Sequence, residues 1–212
     1  MNCLLIDRAR GTLWHRVYGR FDPGERVWRP DLAPPGAGET SLREAVRWLQ
    51  RESERPCRPP IGVIGARDAT EAELRFATAL GRGLAELGLV ILCGGLAGVM
   101  TAVARGAAEA GGTVVGLVPD GDWRTANPWV TIPIATGIGP ARNAIIARAS
   151  LALVAVGGGY GTVSEMAFGM QFGKPVLGYF DQPPLAGVTR IGSVEEALDR
   201  IACVVLELPA GG

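Results

Sequence analysis

Two charged residues flank a glycine-rich run, and together they are the part of this chain best equipped for chemistry. The run is Gly157-Gly158-Gly159-Tyr160-Gly161-Thr162, with Arg142 before it and Glu165 just after it. An arginine fork matches the oxygens of a phosphate or carboxylate. A glutamate suits ribose hydroxyls or a developing cation. Glycines that open a helix leave backbone N–H groups unpaired, and those donors with the helix dipole form an anion site. Any Cβ there would block the approach of a ligand to the backbone. Thr162 adds a hydroxyl, and Tyr160 either stacks on a ligand or shields the turn. A plainer reading of the charges stays open. Arg142 and Glu165 form an ion pair that fixes two helix ends, or Glu165, read on the first helical turn, complements the dipole.

Such a turn has to be carried by a strand and a helix. Leu151 to Val156 is an uncharged apolar run that reads as a strand buried on both faces, and the segment through Gly173 reads as the helix that leaves it. The same alternation begins at Ile61. Strands are expected at Ile61–Gly65, Leu89–Leu92, Thr113–Val118, Val130–Ala135, Val176–Tyr179 and Cys203–Leu206. Helices are expected from Thr70 to Leu87, Val99 to Ala110, Pro140 to Ser150, and after Ser193. The pattern implies an α/β fold: a Rossmann-like parallel sheet with right-handed crossovers and helices on both faces. Ligands bind such sheets beyond the carboxyl ends of the strands. Two further glycine turns fall there, Gly65-Ala66-Arg67 and Gly94-Gly95 through Gly98. The candidate ligand-binding residues are therefore Gly65, Arg67, Gly94, Gly95, Gly98, Gly158, Gly159, Tyr160, Gly161 and Thr162. Arg67 and Arg124 are loop arginines within reach of a ligand, whereas Arg105 and Arg148 read as solvated helix faces. The dinucleotide spacing G-x-G-x-x-G is absent after the first strand, and so is a Walker-type G-K-[ST].

Residues 1–60 read as a small appendage and 61–212 as the main domain. The appendage has short strands at Leu4-Leu5-Ile6, Leu13-Trp14 and Val27-Trp28, a proline- and glycine-rich link from Arg29 to Gly38, and a helix capped by Thr40 or Ser41. That helix places Leu42, Ala45, Val46 and Leu49 on one face. Trp14, Tyr18, Trp28 and Trp48 supply the core of this small unit or line a pocket. A second linker, containing Cys57, ends at Pro60.

The totals exclude several classes. The chain has 212 residues, nearly half of them apolar, and 31 glycines, about twice the usual share. Lys plus Arg equals Asp plus Glu at 21 each, so nothing in the charge balance favours a nucleic acid or an anionic membrane as a partner. Cys3, Cys57, Cys93 and Cys203 are far apart, and His15 is the single histidine. No zinc-ligand spacing results. With no signal peptide and no apolar run near the roughly 20 residues of a membrane span, a cytoplasmic protein with reduced thiols is expected.

CGGLAGVMTAVARGAAEAGGTVVGLVP and AVGGGYGTVSE resemble the two signature blocks of the Lonely Guy (LOG) and lysine-decarboxylase-like superfamily. The first block reads roughly G-G-G-x-x-G-L-M and the second P-G-G-x-G-T-x-x-E. The resemblance covers about residues 61–206. In its hydrolase branch an arginine fifteen positions before the second block works with the block's final glutamate. Arg142 and Glu165 stand at those positions here, and the resemblance makes them the catalytic pair if the chain is a hydrolase. That branch cleaves nucleoside 5′-monophosphates to base and ribose 5-phosphate.

Gly157 replaces the motif's proline, Ser164 an acidic residue, and GIGPARN the hydrolase segment, with Asn143 for its lysine. The combination looks more like a sister branch that includes molybdenum-cofactor carrier proteins. The leading expectation is therefore a binding protein for a phosphorylated, nucleotide-like or pterin-like molecule, with the molybdenum cofactor as carried ligand and no cofactor required for folding or catalysis. The alternatives are the phosphoribohydrolase and a nucleotide sensor or structural oligomer. The resemblance also implies a homo-oligomer, a dimer or tetramer. Met166, Phe168, Met170 and Phe172 contribute to an interface or, given their every-second-residue spacing, to the core. A pyridoxal decarboxylase needs a Schiff-base lysine. The chain's one lysine, Lys174, sits beside Pro175 at a helix stop, so that chemistry is not expected.

Overall fold

A computed structural model describes residues 3–54, 56, 58–180 and 185–209, so Cys57 lies outside the described residues. The chain divides into two compact units, one of residues 1–58 with 199–212 and one of residues 59–198.

The first unit holds a five-stranded antiparallel sheet in the order β4-β3-β2-β1-β5. Its strands are β1 (Leu4–Asp7), β2 (Thr12–His15), β3 (Gly19–Asp22), β4 (Val27–Arg29) and β5 (Gly38–Thr40), followed by α1 (Leu42–Arg51). Polar side chains close each hairpin by accepting from the backbone of the turn. Asp7 accepts from Ala9 and Arg10, His15 from Val17 and Tyr18, and Asp22 from Gly24 and Glu25. Ser41 caps α1, with its Oγ accepting from the Glu44 N–H at 3.2 Å. Trp14 and Trp48 are buried core, Trp28 is half-buried, and Tyr18 lies exposed against His15. β3 and β5 were not expected from the sequence. Each carries one or no large apolar residue, and only pairing with a neighbouring strand identifies them.

The second unit is a seven-stranded, wholly parallel sheet. In chain order it contains β6 (Ile61–Gly65), α2 (Glu71–Glu86), β7 (Ile91–Cys93), α3 (Val99–Glu109), β8 (Val114–Val118), β9 (Ile132–Ala135), α4 (Arg142–Ala149), β10 (Leu153–Val156), α5 (Tyr160–Gln171), β11 (Val176–Tyr179) and β12 (Thr189–Arg190). The sheet order is β12-β11-β10-β6-β7-β8-β9. The chain winds outward from β6 to β9, crosses back, and resumes at β10 on the other side of β6. Crossovers are right-handed, so that reversal puts α2 and α3 on one face and α4 and α5 on the other. Residues of β10 are fully buried, which explains their uninterrupted apolar run. Their side chains join Ile64, Ile146 and Met166 in the core beneath α4 and α5. On the other face α2 and α3 touch through Gly81 and Gly106, where any Cβ would overlap a carbonyl oxygen of the partner helix.

One expected strand is a helix. Cys203 to Val205 end α6 (Val194–Val205), whose last turns belong to the first unit, and Leu206 follows in a turn. A short apolar run does not distinguish strand from helix, and here Ile201, Ala202, Val205 and Leu206 are buried at helical spacing. Within the first unit the helix end is secured by side chains that take its orphan carbonyls. Arg26 donates to Val204 O at 3.0 Å and Trp28 Nε1 to Leu206 O at 2.7 Å.

Candidate functional site

The order reversal between β6 and β10 is a topological switch point, where adjacent crossovers diverge and leave a crevice past the strand ends. A cleft of about 920 Å³ lies there. The β6 end supplies Gly65 and Arg67, the β7 end Gly94, the start of α4 Arg142, and the β10–α5 turn Gly158, Gly159, Gly161 and Thr162. Glu165 lines it as well. Three of the expected ligand residues stand outside this lining. Gly95 packs against Gly116 and Val118, Gly98 against the backbone of Ala66 and Arg67, and Tyr160 is 96% exposed. Gly98 is nevertheless required by position. It sits at φ +67°, and a Cβ would overlap the carbonyls of Ala66 and Arg67, so it lets the second turn close against the first.

The β10–α5 turn is built as a row of donors. Gly159 is the N-cap of α5 and offers no side chain to the helix end. The first α5 backbone bond runs from Val163 N–H to Gly159 O. Among the described residues, no protein acceptor takes the N–H groups of Gly159, Tyr160, Gly161 and Thr162. Unclaimed amides at the positive end of a twelve-residue helix attract an anion.

Arg142 and Glu165 meet at 3.1 Å, each with a side chain only 8% exposed. Both alternatives first read for Glu165 can now be weighed. It is the sixth residue of α5, on the second turn and not the first, and the first turn contains no acid. The helix starts immediately after the short glycine turn, which carries Glu165 inward. The dipole reading therefore falls, and the ion pair is real. Burial pushes the Glu165 carboxyl up to about 7 against the opposing pull of Arg142. Burial likewise draws the Arg142 guanidinium below its ordinary value.

The pair does not exhaust the arginine. Nη1 also donates to Asn143 Oδ1 at 2.9 Å, while Nε is buried without a partner among the described residues. The guanidinium lies against Gly94, where a Cβ would overlap it. Asn143 in turn donates to Ser164 Oγ at 3.0 Å and to Gly161 O at 3.3 Å, tying the start of α4 to the first turns of α5. Two of the residues that depart from the hydrolase motif, Asn143 and Ser164, thus bond to each other.

Arg124 is turned elsewhere, bonded to Asp122 and stacked over Trp123. Arg148 lies over Phe172, and Arg105 pairs with Glu109. In the stripe on α5, Met166 is fully buried and Met170 is 37% exposed. Cys93, behind the cleft, is fully buried and its thiol is pushed up to about 11, which leaves it unreactive.

Asp68, Glu73 and Asp120 line the cleft but were not anticipated. Of these only Glu73 carries a local signal. It closes a capping box with Thr70, accepting from the Thr70 N–H at 2.7 Å and hydroxyl at 2.9 Å. Threonine followed three residues later by glutamate marks that device. Among the described residues no helix is long and apolar enough to cross a membrane, and no cluster of three potential metal ligands occurs.

Comparison with known proteins finds relatives in sequence and in fold. A structure titled as the molybdenum cofactor binding protein from Rippkaea orientalis is 34% identical with a TM-score of 0.67, over 70% of this chain and 98% of that one. The Moco carrier protein from Chlamydomonas reinhardtii is 37% identical with a TM-score of 0.65, over 71% and 99%. An uncharacterised protein of Archaeoglobus fulgidus is 43% identical over 139 residues, 66% of this chain and 91% of its own. The SLOG cluster4 family model matches residues 58–197, and the chain belongs to that family.

Proposed function

We propose that the cleft binds a phosphorylated small molecule of nucleotide or pterin type, and that the protein is a binding protein like the molybdenum-cofactor carriers. The observation that carries this reading is the row of four unclaimed N–H groups at the start of α5, three of them on residues that line a cleft that also holds a buried arginine. A phosphate monoester on those amides leaves the rest of the cleft for a ring system. The cleft's 920 Å³ falls within the range of small-molecule sites. Similarity to two proteins described as molybdenum cofactor binders supports the pterin member of this class. The reading includes assembly into a dimer or tetramer, which light scattering on the purified protein tests.

A second reading, hydrolysis of the N-glycosidic bond of a nucleoside 5′-monophosphate, is favoured by one feature. A carboxyl that titrates near neutrality stands beside an arginine in the same cleft. Water would add at the anomeric carbon as the bond to the base breaks, and the base would leave with a proton.

One experiment separates the readings. Small molecules released from the purified protein are identified by mass spectrometry, and the protein is then incubated with nucleoside 5′-monophosphates. A ligand that survives unchanged, with Glu165→Gln altering its affinity by no more than a few-fold, supports binding without chemistry. Free base and ribose 5-phosphate, abolished by Glu165→Gln while ligand binding persists, would overturn it in favour of the hydrolase.

A further inference from the structure

Glu73 sits where a site for a bare anion would not place a carboxylate. It leaves the first turn of α2, at the end of β6, and reaches across the switch point to the β10–α5 turn. One oxygen, Oε2, is committed to the N–H and hydroxyl of Thr70. The other, Oε1, rests against the α-carbon of Gly157, so closely that any Cβ there would overlap it. Among the described residues no hydrogen bond is made to Oε1, and Glu73 lines the cleft. The capping box holds the side chain in place, and Gly157, at φ +54°, leaves the space that Oε1 fills.

A carboxylate is an acceptor with no proton to give. Fixed beside a row of amide donors, it repels an oxyanion that arrives alone and rewards one that carries a hydrogen-bond donor next to its phosphate. Resting on the reading of the cleft as a phosphate site, we propose that Glu73 is a specificity-determining residue. It accepts a hydrogen bond from a hydroxyl or ring N–H of a phosphate ester bound on the α5 amides, and so selects such esters over inorganic phosphate. The juxtaposition that carries this is Glu73 Oε1 on Gly157, one residue from the first cleft-lining glycine of the turn.

The test is calorimetric titration of the full chain, wild type and Glu73→Gln, with three probes. Inorganic phosphate reads the amide row alone. Ribose 5-phosphate adds sugar hydroxyls, and 2′,3′-dideoxyguanosine 5′-monophosphate adds ring N–H donors without the diol. Glutamine keeps the size of the side chain and an oxygen for Thr70, but removes the charge. The expected result is a roughly tenfold or greater loss for one of the two esters, the size of a charge-assisted hydrogen bond. Inorganic phosphate should bind equally well or a few-fold better. Which ester suffers identifies the donor as hydroxyl or ring N–H. Gly157→Ala, which displaces Glu73 without changing its chemistry, should reproduce the pattern. If Glu73→Gln shifts all three probes equally, or none, Glu73 only caps α2 and the inference is overturned while the phosphate site stands. If wild type binds none of the three, the reading of the cleft falls, and this inference with it.

Discussion

Replacing Glu165 by glutamine should remove most of one specific pH dependence of stability. The carboxyl is buried, and its pKa rises from the ordinary 4.5 to about 7 in the folded chain. The folded state therefore holds the proton more tightly than the unfolded state. Stability from this source is complete below pH 4.5, is lost progressively as the pH rises from 4.5 through 7, and levels off about a unit above that. The interval is about 2.5 units at 1.36 kcal/mol each, or about 3 kcal/mol. Arg142 keeps its proton throughout and cannot supply the effect. Other groups do titrate. Asp22 and Glu44 are lowered by hydrogen bonds from backbone and arginine, so they contribute stability above their unfolded values, in the opposite sense. Subtraction removes them, since they are common to both proteins. The assay is urea unfolding followed by circular dichroism at half-unit steps from pH 4.5 to 8.5, for wild type and Glu165→Gln. The difference in unfolding free energy, wild type minus variant, should fall by about 3 kcal/mol across the range and level off near pH 8. A difference that stays constant within about 0.5 kcal/mol would show that Glu165 is ionised throughout and that the pair with Arg142 outweighs burial.

Two further substitutions probe separate parts of the argument. Gly94→Ala places a methyl against the Arg142 guanidinium and the Met100 sulfur, and should weaken binding of a phosphorylated probe about tenfold or more. Unchanged affinity in equilibrium dialysis would mean that Arg142 does not contact the ligand. Arg26→Ala uncaps the end of α6 by removing the donor to the Val204 and Val205 carbonyls and the partner of Glu207. A loss of about 1–3 kcal/mol in chemical unfolding is expected, and no loss would make those contacts incidental.

The local sequence determined most of the second unit. Buried parallel strands must read as unbroken apolar runs, as β10 and β8 do, and amphipathic helices such as α2 declare themselves by spacing and by a capping residue. Glycine at strand ends marked all three turns, because only a turn with no side chains admits a ligand or a crossing backbone. The pairing of Arg142 with Glu165 was legible as one of two readings, since both lie at predictable ends of elements around one strand. Three things were decided only by tertiary structure. Whether Val204 and Val205 continue a helix depends on what their side chains pack against, not on their own preferences. β3 and β5 exist because neighbours supply the other half of their hydrogen bonds. Glu73 reaches the glycine turn across the switch point, 84 residues away in sequence, through strand order. Local sequence encodes which elements form and where they stop. Which side chains share the cleft follows from the direction in which the sheet is wound, a property of the assembled chain and of no single segment.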